Sequence, residues 1–208
     1  MADPSWTRRG RGFTLIELLV AITILAIVAV LGWRGLDSIV RARITLTNNL
    51  DQTRAMQLTF AQMQSDCAQI VDSKLIPQHL PLVADQSRVM MVRYVYGEDQ
   101  PIRLQVVAYR VRNGTLTRRE SLATRDLGAL ENAWQAAGSD SDAADALVLQ
   151  SDVTAMTTRL WQPSTGWRKP LPPDATRNTE VPPTGLEVAL QLHDRTTVML
   201  KVFMLGAT

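Results

Sequence analysis

The strongest constraint on this 208-residue chain lies near its start. From Phe13 to Trp33 runs FTLIELLVAITILAIVAVLGW, 21 residues in which Glu17 is the single charge. At 1.5 Å per residue such a helix is about 31 Å long, which matches the hydrocarbon core of a bilayer. Arg8, Arg9 and Arg11 precede it, and the positive-inside rule places that side in the cytoplasm. The body after Arg34 is then expected outside the inner membrane. A secretory signal peptide fits poorly, since its apolar region is shorter and ends at a small-residue cleavage site. Gly32-Trp33-Arg34-Gly35 is not such a site. A plain signal anchor explains length and flanks but not Glu17. A carboxylate in an apolar span costs roughly 2.5–3.5 kcal/mol near mid-helix and less toward an end, so one found there has a partner or a task.

Around that carboxylate the residues form a recognisable motif. Arg11-Gly12-Phe13-Thr14-Leu15-Ile16-Glu17-Leu18-Leu19-Val20-Ala21-Ile22 resembles the prepilin cleavage and methylation signature of type IV pilins and type II secretion pseudopilins. Basic leader, Gly, Phe and a Glu at the fifth place after the cut occur together before an apolar helix. The resemblance implies that prepilin peptidase cleaves between Gly12 and Phe13 and that Phe13 is N-methylated. It also implies that Glu17 pairs with the N-terminal ammonium of a neighbouring subunit. Physical chemistry runs the same way. Cleavage creates a cation at Phe13 close to the low-dielectric zone that holds Glu17, and a buried charge is tolerable when paired and expensive when alone. Glu17 thereby favours subunits in register over subunits adrift in lipid.

Four segments are expected: a basic leader at 1–12, a transmembrane and assembly helix at 13–33, an amphipathic continuation at 34–76, and a β-rich periplasmic head at 77–208. The continuation carries Ile39, Val40, Ile44, Leu46 and Leu50, then a stripe of Met56, Phe60, Met63, Cys67 and Ile70 at alternating spacings of four and three. Asp51, Arg54, Gln57, Gln62, Gln64 and Asp66 fall mostly off that stripe, and Ile76-Pro77 is the expected stop. Beyond Pro81 the period becomes that of strands. Arg88–Tyr96 and Ile102–Arg112 are rich in Val and Tyr, and Asn113-Gly114 turns the second into Thr115–Arg118. Leu122–Ala136 reads as a helix or a loop. Ala146–Gln150 and Met156–Trp161 read as strands, residues 163–185 with six prolines as an irregular connection, and Leu186–His193 and Thr197–Leu205 as a closing pair. In that pair Leu186, Val188, Leu190 and Leu192 share one face, as do Val198, Leu200, Val202 and Met204. The expected fold class is α+β and pilin-like, with a long N-terminal helix packed on an antiparallel sheet.

Within the family the head is most similar to the J-type minor pseudopilin of type II secretion. The matching pieces are Trp33-Arg34-Gly35-Leu36-Asp37, the hairpin run Ala108–Arg118, and Gly166-Trp167 followed by Leu186-Glu187-Val188-Ala189-Leu190. The long Arg168–Pro183 stretch departs from the family's shorter path to its late strand. The resemblance implies a structural role at the tip of the type II secretion pseudopilus, beside I-type and K-type pseudopilins and on an inner-membrane secretion platform. It implies a single-pass inner-membrane protein with its head in the periplasm, and no enzymatic activity. Two alternatives remain at this level: a minor pilin of a type IV pilus or DNA-uptake apparatus, and a signal-anchored periplasmic enzyme.

Charge and composition narrow the rest. The formal +2 resides in residues 1–12, because acidic and basic side chains balance in the remainder. The body therefore offers no net field for nucleic acid. Cys67 is the only cysteine, so no intramolecular disulfide or thiolate cluster can form. On the helix stripe it reads as a small buried hydrophobe. Gly138–Asp145 carries Asp140, Asp142 and Asp145 but lacks the ligand order and closing Glu of an EF-hand. His79 and His193 stand apart, with no second His or Cys nearby. No metal or cofactor is expected. Trp161 and Trp167 suit either a partner-binding face or local packing.

Overall fold

A computed structural model of the chain describes residues 13–76, 78–139, 146–170, 182–193 and 198–206. The chain divides into two compact units, Met1–Asp51 and Gln52–Thr208. One helix, α1 (Leu15–Ala68), begins in the first unit and ends in the second. In the first unit every described residue is exposed, including Leu18, Ile22, Leu25 and Val28. This helix is long and apolar enough to cross a membrane.

The helix stops at Ala68, short of the Ile76-Pro77 breaker, because the residues that follow find strand partners instead. Gln69 O accepts from Tyr94 N–H at 2.8 Å, and Val71 N–H donates to Val92 O at 3.0 Å. Ile70 and Val71 are β-branched and lose little by leaving the helix. A 3₁₀ turn, Ser73–Leu75, follows with Asp72 as its N-cap.

Two antiparallel sheets make up the rest of the second unit. The first orders its strands β1 (Leu82–Ala84), β2 (Arg88–Gly97), β3 (Gln100–Arg112), β4 (Thr115–Glu120) and β5 (Leu147–Gln150) as 1-2-3-4-5. The β3–β4 turn uses Asn113 at φ 49° and Gly114 at φ 75°, the left-handed pair that a two-residue hairpin requires. The second sheet has the order β7-β6-β8-β9, built from β6 (Val153–Gln162), β7 (Gly166–Arg168), β8 (Gly185–Leu192) and β9 (Met199–Met204). Strand β7 lies inside the stretch expected to be irregular; residues 171–181 of that stretch lie outside the described residues.

The burial pattern explains the apolar run Val89-Met90-Met91-Val92, all four of which are buried. On one face, Val89 and Met91 join Met56, Met63 and Cys67 of α1 and the inner residues of β8 in a single core. On the other face, Met90 and Val92 pack beneath α2 (Leu127–Gly138) with Leu130 and Trp134. A strand covered on both sides has no polar alternation to show. Of Leu122–Ala136, read as a helix or a loop, Thr124 bridges Leu104, while the part from Leu127 is helix α2. Its N-cap is Asp126, whose carboxylate accepts from Gly128 N–H and Ala129 N–H.

Leu186, Val188, Leu190 and Leu192 all turn to the core. Strand β9 behaves differently. Phe203 is its buried residue, whereas Leu200, Val202 and Met204 share the opposite, exposed face.

Candidate functional site

The N-terminal end of α1 is organised by two residues, Thr14 and Glu17. Thr14 precedes the first helical residue and Glu17 is the third within it, the spacing of a capping box. Thr14 Oγ1 accepts from Glu17 N–H at 3.3 Å. In return Glu17 Oε2 accepts from Thr14 N–H and from Thr14 Oγ1–H, each at 3.2 Å. Two main-chain donors that a helix start leaves orphaned are thus satisfied within the chain. An acidic side chain in the first turn also meets the positive end of the helix dipole. Sequence reading assigned Glu17 a partner on a neighbouring subunit and missed this local role, although Thr-x-x-Glu before an apolar run is its signal.

Phe13 is described and exposed next to this box. Arg8, Arg9, Arg11 and Gly12 lie outside the described residues, as do Asp140, Asp142 and Asp145 of the acidic segment.

A second polar cluster sits in the head, and sequence reading placed its centre wrongly. Asp66, assigned to the polar side of α1, is fully buried. It follows Met63 by three positions, on the margin of the apolar stripe, where a side chain can turn inward. Arg118 Nε donates to Asp66 Oδ2 at 2.9 Å and Arg118 Nη2 to Oδ1 at 3.1 Å, a bidentate pair. Tyr109 O–H donates to Oδ2, and Arg93 Nη1 lies 3.2 Å from Oδ1. Glu120 closes the cluster at 2.7 Å from Arg118 Nη1. Arg93, Tyr109 and Arg118 lie two positions from the core residues Met91, Val107 and Leu116, on the same face of β2, β3 and β4, so only the pairing of those strands brings them together.

Electrostatics in this cluster follow burial. Burial works against the Arg118 charge, but the hydrogen bonds and charge of Asp66 reverse this and raise its pKa overall. The Tyr109 hydroxyl is pushed up by burial and then by Asp66. The same two causes push the Cys67 thiol up to about 12, so it stays protonated and inert. The arrangement can join α1 to the sheet; it has the saturated geometry of a structural lock.

The remaining candidates resolve into packing. His79 stacks on Trp134 with centroids 3.8 Å apart, and its Nε2 lies 3.4 Å from a Glu131 carboxylate oxygen. This ties the 78–80 loop to α2. His193 N–H of the main chain donates to Asp152 O. Trp161 and Trp167 meet edge to face at 5.3 Å on the outer side of the second sheet, with the Arg159 guanidinium 5.6 Å from the Trp167 ring. Among the described residues no three His, Cys, Asp or Glu side chains are placed to hold a metal ion.

Comparison with known proteins divides the chain into two consecutive parts. Residues 7–33 match the family model described as the prokaryotic N-terminal methylation motif. Residues 34–204 match the model described as type II secretion system (T2SS), protein J. Type II secretion system protein J of Klebsiella pneumoniae is 32% identical over 124 residues, which cover 53% of this chain. The match spans 62% of that relative's length.

Proposed function

Because the chain belongs to the type II secretion system protein J family, we propose that it is a structural minor pseudopilin at the tip of the secretion pseudopilus, where it supports export of folded proteins across the outer membrane. The observation that carries this reading is the consecutive match of a methylation-motif helix and a protein J head over residues 7–204. The reading assigns no catalytic residue. In it, prepilin peptidase cleaves between Gly12 and Phe13, Phe13 is N-methylated, and the head stands in the periplasm. Partners are I-type and K-type pseudopilins and the inner-membrane platform.

The exposed apolar surface of α1 before Leu50 supports this, since such a surface is stable only in lipid or against other helices. Glu17 then has two successive partners. Before assembly its carboxylate completes the capping box with Thr14. In the filament it faces the Phe13 ammonium of a neighbour. Within one subunit the new amine lies only about 6 Å along the axis, and a straight helix holds that distance. A neighbour shifted along the filament is better placed.

The capping box makes the test selective. Glu17→Gln keeps a residue type that closes the box while removing the charge. It should leave insertion and cleavage intact and lower both secretion and recovery of the tip complex. Glu17→Lys should be worse, since it sets like charges together in a low dielectric. Full secretion by a Glu17→Lys strain at native expression would remove the pairing role.

A further inference from the structure

Strand β9 ends the second sheet, and its hydrogen-bonding direction can be read from its neighbours. Leu205 N–H donates to Thr184 O at 3.0 Å, which makes Leu205–Thr184 a hydrogen-bonded pair of the β8–β9 ladder. Such pairs alternate along an antiparallel ladder. Met199, Lys201 and Phe203 therefore direct their main-chain groups to β8, while Leu200, Val202 and Met204 direct theirs to the open side. The next residue of that set, Gly206, agrees with this: its N–H points the same way and reaches Cys67 O at 3.0 Å. The edge is thus closed at Gly206, and among the described residues no strand adjoins it from Met199 to Met204.

Those three residues also carry the exposed apolar side chains. Leu200, Val202 and Met204 are 57%, 43% and 59% exposed. Met204 lies opposite Gly185, and Gly185 lies opposite Trp161, so the patch continues across the sheet face. A Cβ on Gly185 would come within 3.1 Å of Trp161, and its absence keeps the face flat. Together with Val198 the patch exposes on the order of 400 Å² of apolar surface, the size of the largest patch on a typical monomer, which is often functional. That is about half of what one partner buries in a stable complex, and an added strand with its flanks would supply the remainder.

Open donors and acceptors at every second residue fit an extended segment; a helix has already satisfied its own. Lys201 decides between a second copy and another protein. It is exposed at the sheet margin, on the side opposite the apolar patch. Self-pairing of β9 would set Lys201 against its own copy, a like-charge contact, or against Phe203 of the copy, which offers it no counter-charge. The geometry points to β9 as the edge on which a different pseudopilin subunit adds an extended strand, apolar toward the Leu200–Met204 face and acidic opposite Lys201. This rests on the assembly reading above.

The test uses the full-length chain produced with its I-type and K-type subunits and extracted in detergent. In the chain alone, the amides of Leu200, Val202 and Met204 should exchange with solvent quickly, and those of Lys201 and Phe203 slowly. In the complex the first three should slow by roughly tenfold or more. Val202→Pro removes an outward N–H without touching the ladder to β8, and should cut recovery of the partner about tenfold, whereas Val202→Thr should not. Tryptophan fluorescence melting shows whether the proline variant is folded. If it is not, Lys201→Glu at the exposed margin replaces it and should lower recovery by like-charge contact. A complex that forms without protecting those three amides, or that survives the variants unchanged, overturns the edge assignment and leaves the assembly reading standing. Protection that rises with concentration in the chain alone would assign the edge to a second copy and overturn it. Failure of the unaltered chain to recover either partner refutes the assembly reading itself.

Discussion

Replacing Asp66 by Asn isolates the contribution of the buried charge cluster, since shape is kept and only the carboxylate charge is lost. Arg118 would lose its bidentate acceptor and Arg93 its nearest anion, both inside the head. Removing one partner of a buried pair costs about 3–5 kcal/mol. Two features place this case at the lower end. Glu120 remains 2.7 Å from Arg118 and 3.7 Å from Arg93, and it is half exposed, so water and one carboxylate still reach the cluster. The expected loss is about 3 kcal/mol, a large share of the 5–15 kcal/mol that stabilises a typical domain. For a head of this size that corresponds to a fall in Tm of about 6–12 °C. Urea and thermal unfolding of a soluble fragment starting near residue 36, followed by tryptophan fluorescence, measures it. Asp66→Leu combined with Arg118→Met and Tyr109→Phe should recover most of the loss, because apolar replacement of a whole buried polar unit is often neutral. A loss below about 1 kcal/mol for Asp66→Asn would refute the view that this cluster is desolvated and locks α1 to the sheet.

Mass spectrometry of membrane-extracted protein should find an N-terminal N-methylated Phe13, and an intact N-terminus in cells with active prepilin peptidase would refute cleavage at Gly12. A bulky residue at Gly12 should block the cut, since the protease must approach the backbone closely. The soluble fragment should keep its circular dichroism spectrum in chelator, and loss of structure would revive the 138–145 segment as a calcium site. Alkaline stability should follow Cys67 and Tyr109, whose protonated forms are favoured in the folded state. Their contribution is full below the ordinary thiol value of 9.0 and lost as pH rises through about 12 for Cys67. The urea midpoint should fall over that interval, and Cys67→Ala with Tyr109→Phe should flatten the fall.

What the sequence by itself determined is whatever depends on neighbours along the chain. The length and single charge of Phe13–Trp33, the Asn113-Gly114 hairpin and the alternation of β8 all act over a few residues, where period and turn chemistry suffice. Even the capping box of Thr14 and Glu17 was available, as its spacing is local. The pilin-like α+β class follows from those pieces. Tertiary structure decided whatever depends on which face meets which. Asp66 reads as a solvent-side residue until Arg93, Tyr109 and Arg118 arrive from three different strands. The end of α1 is set at Ala68 by hydrogen bonds to β2, twenty and more residues away, and not by the proline after Ile76. The apolar alternation of β9 is the same pattern as that of β8, yet one faces the core and the other solvent. Periodicity says only that side chains share a face; position in the sheet says what that face meets. The register pairs Leu186 with Phe203 on the core face, so Leu200, Val202 and Met204 fall opposite Ala189, Glu187 and Gly185 on the outer face.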